Sequence, residues 1–289
     1  MRRRPLALAV LATTALAVTA CAPQESSSDA GASGSSGGGS CAPADLDTVA
    51  DDTLTIATDQ PAYEPWMVDD DPTNGEGYES AVAYAVAEQL GYTEDQVEWT
   101  RVQFNTAISP GDKSFDFDIN QFTINDERRQ AVDFSSPYYT ATQAVITTAG
   151  SAADGATSLA DLQDLRLGAQ VATTSLTVLT DVIDPTTDPV VFNTNDDAKL
   201  ALQNGQVDAI VVDLPTAFFI TSAELDDGLI VGQVADSGES GDQFGLLLAK
   251  DSPLTDCVSQ AVDALEADGT LADLQDQWLS QAADAPVLN

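Results

Sequence analysis

The chain has 289 residues, of which 47 are acidic and 10 are basic, and its formal net charge is −37. A surface this negative repels nucleic acid and anionic lipid head groups, so neither is expected as a partner. The sequence contains no histidine. That excludes histidine-based triads and most zinc sites, and we expect neither a metal nor a cofactor.

Residues 1–20 are predicted to be a secretory signal peptide. Arginines at positions 2–4 precede an apolar run, 6–18, that is too short to span a membrane with ease. The small residues leading into Cys21 resemble a bacterial lipobox, V-T-A-C. This resemblance implies cleavage before Cys21 and a lipid, with palmitate among its acyl chains, on the Cys21 sulfur. The alternative is a plainly secreted protein in which Cys21 is incidental.

Residues 21–45 are predicted to be a tether. The segment is rich in Ser and Gly and has no apolar period, so it is expected to be flexible. Such a tether would hold the folded part of the protein away from the membrane surface. We therefore expect an exported protein that is lipid-anchored to the outer face of the cytoplasmic membrane.

Two further cysteines, Cys41 and Cys257, remain in the body of the chain. An exported chain enters an oxidising compartment, where two leftover cysteines can pair. We predict a disulfide that joins the start of the folded body to a C-terminal helix. The alternative is two unpaired thiols.

The hydrophobic pattern predicts a first α/β series. Strands are expected at 53–58, 97–102 and 115–120, and helices at 79–90 and 105–109. Gly91 directly follows the first helix as a C-cap. This alternation of strands and helices is typical of a parallel α/β lobe.

The stretch 121–139 follows the third strand and carries Arg128 and Arg129, two of the few cations in the chain. A planar guanidinium offers two parallel N–H bonds to a carboxylate. An arginine close to a threonine hydroxyl therefore predicts a site that binds the α-carboxylate of a small amino acid. The alternative is a surface ion pair with one of the many acids.

A second α/β series follows. Strands are predicted at 143–148, 165–171, 207–212 and 244–249, and helices at 158–161, 176–183, 195–202, 217–222, 255–267 and 270–280.

Several runs together carry a family resemblance. They are LTIATD at 54–59, GYESAVA at 77–83, FDFDI at 115–119, TINDERRQAVDFSSPYY at 123–139, SLADL at 158–162, LGAQVATTS at 167–175, GQVDAIVVD at 205–213 and ADGTLADLQDQW at 267–278. With them the chain resembles the bacterial extracellular solute-binding proteins, family 3, which deliver polar amino acids to ABC importers.

The resemblance implies an α/β fold of the two-lobe periplasmic-binding-protein type (type II), with a ligand cleft between lobes that a two-strand hinge joins. The first lobe is expected at 46–140 and 243–289, and the second at 141–242. The hinge crossings are expected near 139–142 and 241–244. Ligand would close the lobes.

In the first lobe, the resemblance implies that Arg128 holds the ligand α-carboxylate and that Thr123 contacts the ligand. Gln121 lies two residues before Thr123, on the same side of an extended chain. Arg129 is expected to be an outward neighbour.

In the second lobe, the resemblance implies that Thr173 and Thr174 supply hydroxyl and backbone donors at a helix N-terminus. Asp213 would receive the α-ammonium; alternatively it only caps the following helix. Ala172 stands where a glycine is common in the family.

Tyr63 and Trp66 are expected as the aromatic wall of the site, with Asp59 at the cleft edge. The loop 59–66 is one residue longer than the family pattern, so which aromatic stacks on the ligand is open. Packing in the core or hinge is the alternative for both rings.

The resemblance thus implies a monomeric substrate-binding lipoprotein, not an enzyme, that takes up a free amino acid and works with ABC permease and ATPase subunits. Two alternatives are a dehydratase-like enzyme on the same fold and a ligand-sensing lipoprotein. The amino acid is not specified: Asp59 and Glu64 favour a cationic side chain, whereas Asn120 and Gln121 favour an amide or acid.

Overall fold

The computed structural model describes residues 40–234, 241–279 and 285–288. The signal peptide, Cys21 and residues 21–39 of the predicted tether lie outside the described residues. The strands are β1 (Leu54–Thr58), β2 (Val97–Arg101), β3 (Phe117–Asp118), β4 (Val132–Ala141), β5 (Gln143–Thr148), β6 (Leu167–Gln170), β7 (Val190–Phe192), β8 (Ala209–Asp213), β9 (Gly228–Val234), β10 (Asp242–Ala249) and β11 (Val287–Leu288).

The helices are α1 (Tyr78–Gln89), α2 (Phe104–Ala107), α3 (Thr174–Val178), α4 (Asn195–Gln203), α5 (Leu214–Phe219), α6 (Thr255–Asp268) and α7 (Thr270–Trp278). Helices α3 and α5 each continue into a π-helical turn, Leu179–Ile183 and Ile220–Glu224 respectively. No helix in the described part of the chain is both long and apolar enough to cross a membrane.

The first sheet has the strand order β2-β1-β3-β10-β4. Strand β1 pairs in parallel with β2 and β3, and β10 runs antiparallel between β3 and β4. One face packs on α1, α6 and α7 through apolar side chains such as Val82, Val86 and Val262. The other face packs on α2, where Phe104 and Ala107 are buried. The predicted α/β pattern of the first series is therefore confirmed.

The second sheet has the order β11-β9-β5-β8-β6-β7. Strand β6 is parallel to β7 and β8, whereas β5 is antiparallel to β8 and β9. Its two faces form separate apolar clusters, one with α4 and α5 and the other with α3 and the turn Leu159–Leu162. Each sheet thus has its own core, which makes the two lobes of the predicted architecture.

The chain passes between the sheets at Thr142, which separates β4 from β5, and returns at β10. Both points lie where the sequence predicted the hinge. The C-terminal end differs from the predicted boundary at 243–289. Val287–Leu288 pair with β9 of the second sheet, and Gln233 donates to the carbonyls of Ala285 and Pro286 at 2.8 Å. A two-residue strand has no period of its own, so the sequence did not indicate it.

The sequence also missed β4, β7 and β9 and overestimated β3, which has two residues instead of six. Val190 and Val191 of the edge strand β7 are exposed. Such a strand lacks the alternation on which the prediction depends. The length of β3 is limited because the chain turns away at Asn120 toward the cleft described below.

Cys41 and Cys257 form the predicted disulfide, with Cα atoms 5.5 Å apart. Cys257 is in α6, and both cysteines pack on the apolar cluster that covers the first sheet. The bond closes a sequence separation of 216 residues. It therefore fastens the N-terminal end of the folded body to the first lobe.

Candidate functional site

A closed cleft lies between the two lobes, near the carboxyl ends of the parallel strands. Open α/β sheets bind ligands at such strand ends. The enclosed space is about 30 Å³, and hydrogen bonds join the two lobes across it, so the lobes are shut on each other. The lining residues are Asp59, Tyr63, Phe104, Asn120 and Gln121 from the first lobe and Gln170, Thr173, Thr174, Ser175, Asn195 and Asp213 from the second.

Arg128 lies beside the cleft. It is 8% exposed and lines an adjoining cavity of about 310 Å³ together with Thr173 and Thr174. Its Nη1 donates to the carbonyl oxygen of Thr123 at 2.8 Å, and Nη2 donates to that of Ala172, in the second lobe, at 2.9 Å. A guanidinium has five N–H groups, so three remain for a carboxylate.

The charge of Arg128 persists at neutral pH. Burial lowers its pKa to about 10, and the negative charges of Asp242 and Asp213 oppose this shift. The guanidinium carbon lies 5.4 Å from the centre of the Phe104 ring, a cation–π distance. Arg129, by contrast, is exposed and lies over a different ring, that of Phe134. Of the two arginines, only Arg128 is placed to act in the cleft.

Two acids near Arg128 share one amide donor. The Nε2 of Gln143 donates to Oδ1 of Asp213 at 2.6 Å and to Oδ2 of Asp242 at 2.8 Å. The hydroxyl of Ser175 donates to Oε1 of Gln143 at 2.6 Å, which fixes the amide orientation. Burial, and next the charge of Asp242, raise the pKa of Asp213 to about 7. Neither acid forms an ion pair among the described residues, so the pair can accept an ammonium.

Asp213 does not cap the helix that follows it. It stands at the N-cap position of α5, but its side chain accepts no hydrogen bond from the first turn. The carboxylate instead lines the cleft. This disfavours the capping alternative for Asp213.

Three threonines of the site have different roles. Thr173 caps α3: its hydroxyl accepts from the Leu176 N–H at 3.2 Å and donates to the Gln170 carbonyl at 2.7 Å. Its hydroxyl is therefore occupied, and a ligand would use its backbone. The hydroxyls of Thr123 and Thr174 lie 3.2 Å apart across the lobes. These two remain candidates for ligand contact.

Asp59 and Tyr63 follow β1 and line the cleft. Asp59 accepts from the N–H groups of Gln60 at 2.6 Å and Phe104 at 3.1 Å, and burial raises its pKa. The hydroxyl of Tyr63 accepts from the Asp196 N–H, in the first turn of α4, at 3.4 Å. Tyr63 thus touches both lobes.

Trp66 does not line the cleft, and it packs at the hinge, which was the alternative for this ring. The side chain is 0% exposed and packs edge-on against Tyr78 and Tyr139. Its Nε1 donates to Oγ1 of Thr216 in the second lobe at 2.8 Å. An indole is a large apolar ring with one N–H donor. At the hinge, the ring is packed among aromatic side chains and the N–H has an acceptor.

The second aromatic side chain that lines the cleft is that of Phe104, which the sequence did not single out. Its ring stacks on Phe122 with centroids 4.8 Å apart and lines the cleft. Gln143 and Asp242 were also missed. A phenylalanine at the start of a short helix and one acid among 47 give no distinctive signal in a single sequence. No group of three or more potential metal ligands is arranged for a metal within the described residues.

Comparison with known proteins gives concordant results. A model of the family described as bacterial extracellular solute-binding proteins, family 3, matches residues 54–281. The chain is 27% identical over 240 residues to the L-arginine-binding protein of Pseudomonas aeruginosa, covering 78% of this chain and 90% of that protein. It is 30% identical over 220 residues to the L-cystine-binding protein of Escherichia coli K12, covering 75% and 79%.

A solved structure, an ancestral arginine-binding protein bound to arginine, superposes with a TM-score of 0.64 at 28% identity. The match covers 78% of this chain and 97% of that one. The two-lobe fold expected from the sequence is therefore confirmed.

Proposed function

The chain belongs to the bacterial extracellular solute-binding proteins of family 3, and we propose that it captures a free amino acid in the cleft between its lobes. One observation carries this proposal: a buried arginine with three unused N–H groups adjoins a cleft lined by Asp213, an acid that Gln143 links to Asp242 and that forms no ion pair among the described residues. A zwitterion complements that arrangement. Arg128 takes the α-carboxylate, and Asp213 with Asp242 takes the α-ammonium.

The strength of binding comes from exclusion of water. In a closed cleft the effective dielectric constant is low, so both charge pairs are stronger than at the surface. A dissociation constant in the micromolar range corresponds to about −8 kcal/mol. We expect two charged contacts, together with packing of the ligand side chain against the aromatic residues of the lining, to reach that value.

The side chain of the ligand is proposed to be cationic. Asp59, Asp213 and Asp242 bring three acids to a site where, among the described residues, Arg128 is the cation without an acidic partner, because Arg101, beside Asp59, is paired with Asp70. A neutral amino acid leaves this excess of negative charge unchanged, whereas a guanidinium or ammonium side chain reduces it. The relatives named as arginine-binding support the same ligand class.

Binding is proposed to drive hinge closure and delivery to an ABC permease with its ATPase subunit. Contacts across the lobes, from Arg128 to Ala172 and from Trp66 to Thr216, hold the closed form that a permease would meet. A monomer, tethered through a lipid on Cys21 to the outer face of the cytoplasmic membrane, would place the cleft near that partner.

The ligand is proposed to leave unchanged, so the protein is not an enzyme. The relatives reported above carry names of binding proteins. The polar groups of the cleft are also those that recognise a zwitterion. A dehydratase-like reaction would require one of its carboxyls to act as general acid or base.

A thermal-shift screen of the purified protein against the twenty amino acids tests the function. A ligand at 100 times its dissociation constant stabilises by about 2.7 kcal/mol, which raises Tm by about 5–10 °C for a body of this size. We expect the largest shift with arginine or lysine and recovery of the ligand unchanged. If none of the twenty shifts Tm, the proposed function is wrong; turnover of a bound ligand would indicate the enzyme alternative.

A further inference from the structure

Glu79 is a buried carboxylate that no part of the proposed function uses. It is the second residue of α1 and is 0% exposed. Its Oε1 accepts from the backbone N–H of Gln121 at 2.7 Å and from the hydroxyl of Tyr138, and its Oε2 accepts from Nε2 of Gln121. Three donors therefore converge on one carboxylate, and two of them belong to a residue that lines the cleft.

These contacts hold Gln121 in an uncommon backbone conformation. Its φ is 47°, in the left-handed region that residues with a Cβ rarely adopt. The hydrogen bond from its N–H to Glu79 stabilises this turn at the end of the short strand β3. Gln121 is thereby turned toward the cleft next to Asn120.

The same contacts orient the side-chain amide of Gln121. A carboxylate can only accept hydrogen bonds, so the amide atom that faces Glu79 is the donor Nε2. The carbonyl Oε1 is then the atom of that amide left for a ligand. Among the described residues Oε1 has no hydrogen-bond donor. Gln121 thus presents an acceptor to the cleft.

We propose that Glu79 is a positioning residue that sets the ligand specificity of the cleft through Gln121. By holding the amide with its carbonyl oxygen toward the ligand, Glu79 favours side chains that donate hydrogen bonds and disfavours those that end in a carboxylate. This inference rests on the proposed amino-acid-binding function. It assigns a role in specificity to a residue that does not line the cleft.

The isosteric change Glu79→Gln makes the mechanism testable. The new amide has one acceptor and one donor group in place of two acceptors. If its oxygen keeps the Gln121 N–H and the Tyr138 hydroxyl, its NH₂ group opposes Nε2 of Gln121, and two donors face each other. A half-turn of the Gln121 amide relieves this conflict and presents Nε2 to the cleft. The variant is then expected to favour acceptor side chains.

Protonation of Glu79 is expected to have the same effect as the substitution. Burial raises the pKa of Glu79 to about 7, against the hydrogen bonds from Tyr138 and Gln121. The other titratable groups that face it are Tyr78 on α1, Asp118 on β3 and Asp213 across the cleft. Asp213 titrates in the same range, but it acts on the ammonium that every amino acid carries. Its charge also favours a cationic side chain, so the change in the ratio of affinities that persists in Asp213→Asn is the part that isolates Glu79.

The experiment is calorimetric titration with arginine and with glutamate of the wild type, Glu79→Gln and Glu88→Gln. Glu88 is exposed on the same helix, so its substitution removes an equal charge without touching Gln121. We expect the preference for arginine over glutamate to fall at least tenfold in Glu79→Gln and to be unchanged in Glu88→Gln. In the wild type and in Asp213→Asn, the preference is expected to fall between pH 8 and pH 6.

An unchanged preference in folded Glu79→Gln would overturn the role of Glu79 while leaving the proposed function intact. If that variant does not fold, the wild-type measurement decides, because a preference independent of pH between 8 and 6 also overturns it. A wild type that binds no amino acid would overturn the proposed function and this inference together.

Discussion

Arg128→Ala is expected to abolish measurable binding of the amino acid while the fold survives. Removal of one partner from a buried, hydrogen-bonded charge pair costs about 2–5 kcal/mol or more, so affinity should fall at least about 30-fold. The carboxylate would also enter a cleft with an excess of acids and no compensating cation. Calorimetric titration measures the loss, and circular dichroism checks the fold.

Arg129→Ala is the matched control for this variant. It removes the same charge from the adjacent residue, which is exposed and lies over the ring of Phe134 outside the cleft. Its affinity should remain within about threefold of the wild type, because exposed charges contribute little. Arg128→Lys separates charge from geometry, since an ammonium lacks the bidentate fork. Near-normal affinity in Arg128→Ala would refute the carboxylate role of Arg128.

Affinity for the amino acid is expected to rise with pH and then level off above about pH 8. The pKa of Asp213 is raised to about 7 by burial, and only its charged form attracts the ligand ammonium. Binding therefore releases a proton from this group, and the affinity gained above pH 7 is lost as the pH falls below it. At pH 6 about one molecule in eleven carries the charged form, so affinity should be about tenfold lower than at pH 8.

Asp213→Asn should bind weakly at both pH values and lose this contribution to the pH dependence. Asp226→Asn serves as its control, because Asp226 is exposed and outside the cleft. Titrations at pH 6 and pH 8 of both variants and the wild type make the comparison. A pH profile in Asp213→Asn identical to that of the wild type would show that another group carries the dependence.

Glu79 is expected to make the fold more stable as the pH falls, whereas the carboxyls that cause ordinary acid denaturation make it less stable. Its folded-state pKa of about 7 lies above the unperturbed value of 4.5, so the folded state binds the proton more tightly than the unfolded chain. Its charged form destabilises the fold at pH 8, and this cost disappears as the pH falls through 7. At 0% exposure, the difference between pH 8 and pH 5 amounts to about 2–3 kcal/mol. A buried carboxyl kept at this cost is consistent with its proposed role at Gln121.

Much of the cleft could be predicted because its residues follow strands whose pattern is clear. Asp59 comes directly after β1, and Asp213 ends β8. Ligands of α/β folds bind at the carboxyl ends of parallel strands, so polar residues that follow such strands are expected at the cleft, Asp59 from the first sheet and Asp213 from the second. Both acids do line the cleft. Their contact with a ligand stays a prediction.

The residues that sequence reasoning missed depend on contacts between distant parts of the chain. Glu79 sits in the first turn of a helix, where an acid is favoured by the helix dipole whether it is buried or not. Its burial arises only when β3 and β4 bring Gln121 and Tyr138 to it. Asp242 likewise acquires its role through Gln143, 99 residues away along the chain. Such pairings have no local pattern to reveal them.

Trp66 shows the converse case, in which the structure favours one of two alternatives that the sequence left open. An aromatic residue after the first strand fits a ligand wall as well as it fits a hinge core, and the sequence does not distinguish them. The hydrogen bond from its indole to Thr216 and its complete burial decide for the hinge. Phe104 follows β2 at the start of α2 and lines the cleft. No pattern in the sequence predicted this position for it.

The central claim is that the cleft recognises both ends of an amino-acid head group. Calorimetric titration with arginine, its decarboxylated analogue agmatine and Nα-acetylarginine tests it most directly, because the side chain is constant and only the head group changes. The account predicts binding of arginine and at least about 100-fold weaker binding of both analogues. Equal affinity for agmatine would contradict the role of Arg128, and equal affinity for Nα-acetylarginine would contradict that of Asp213.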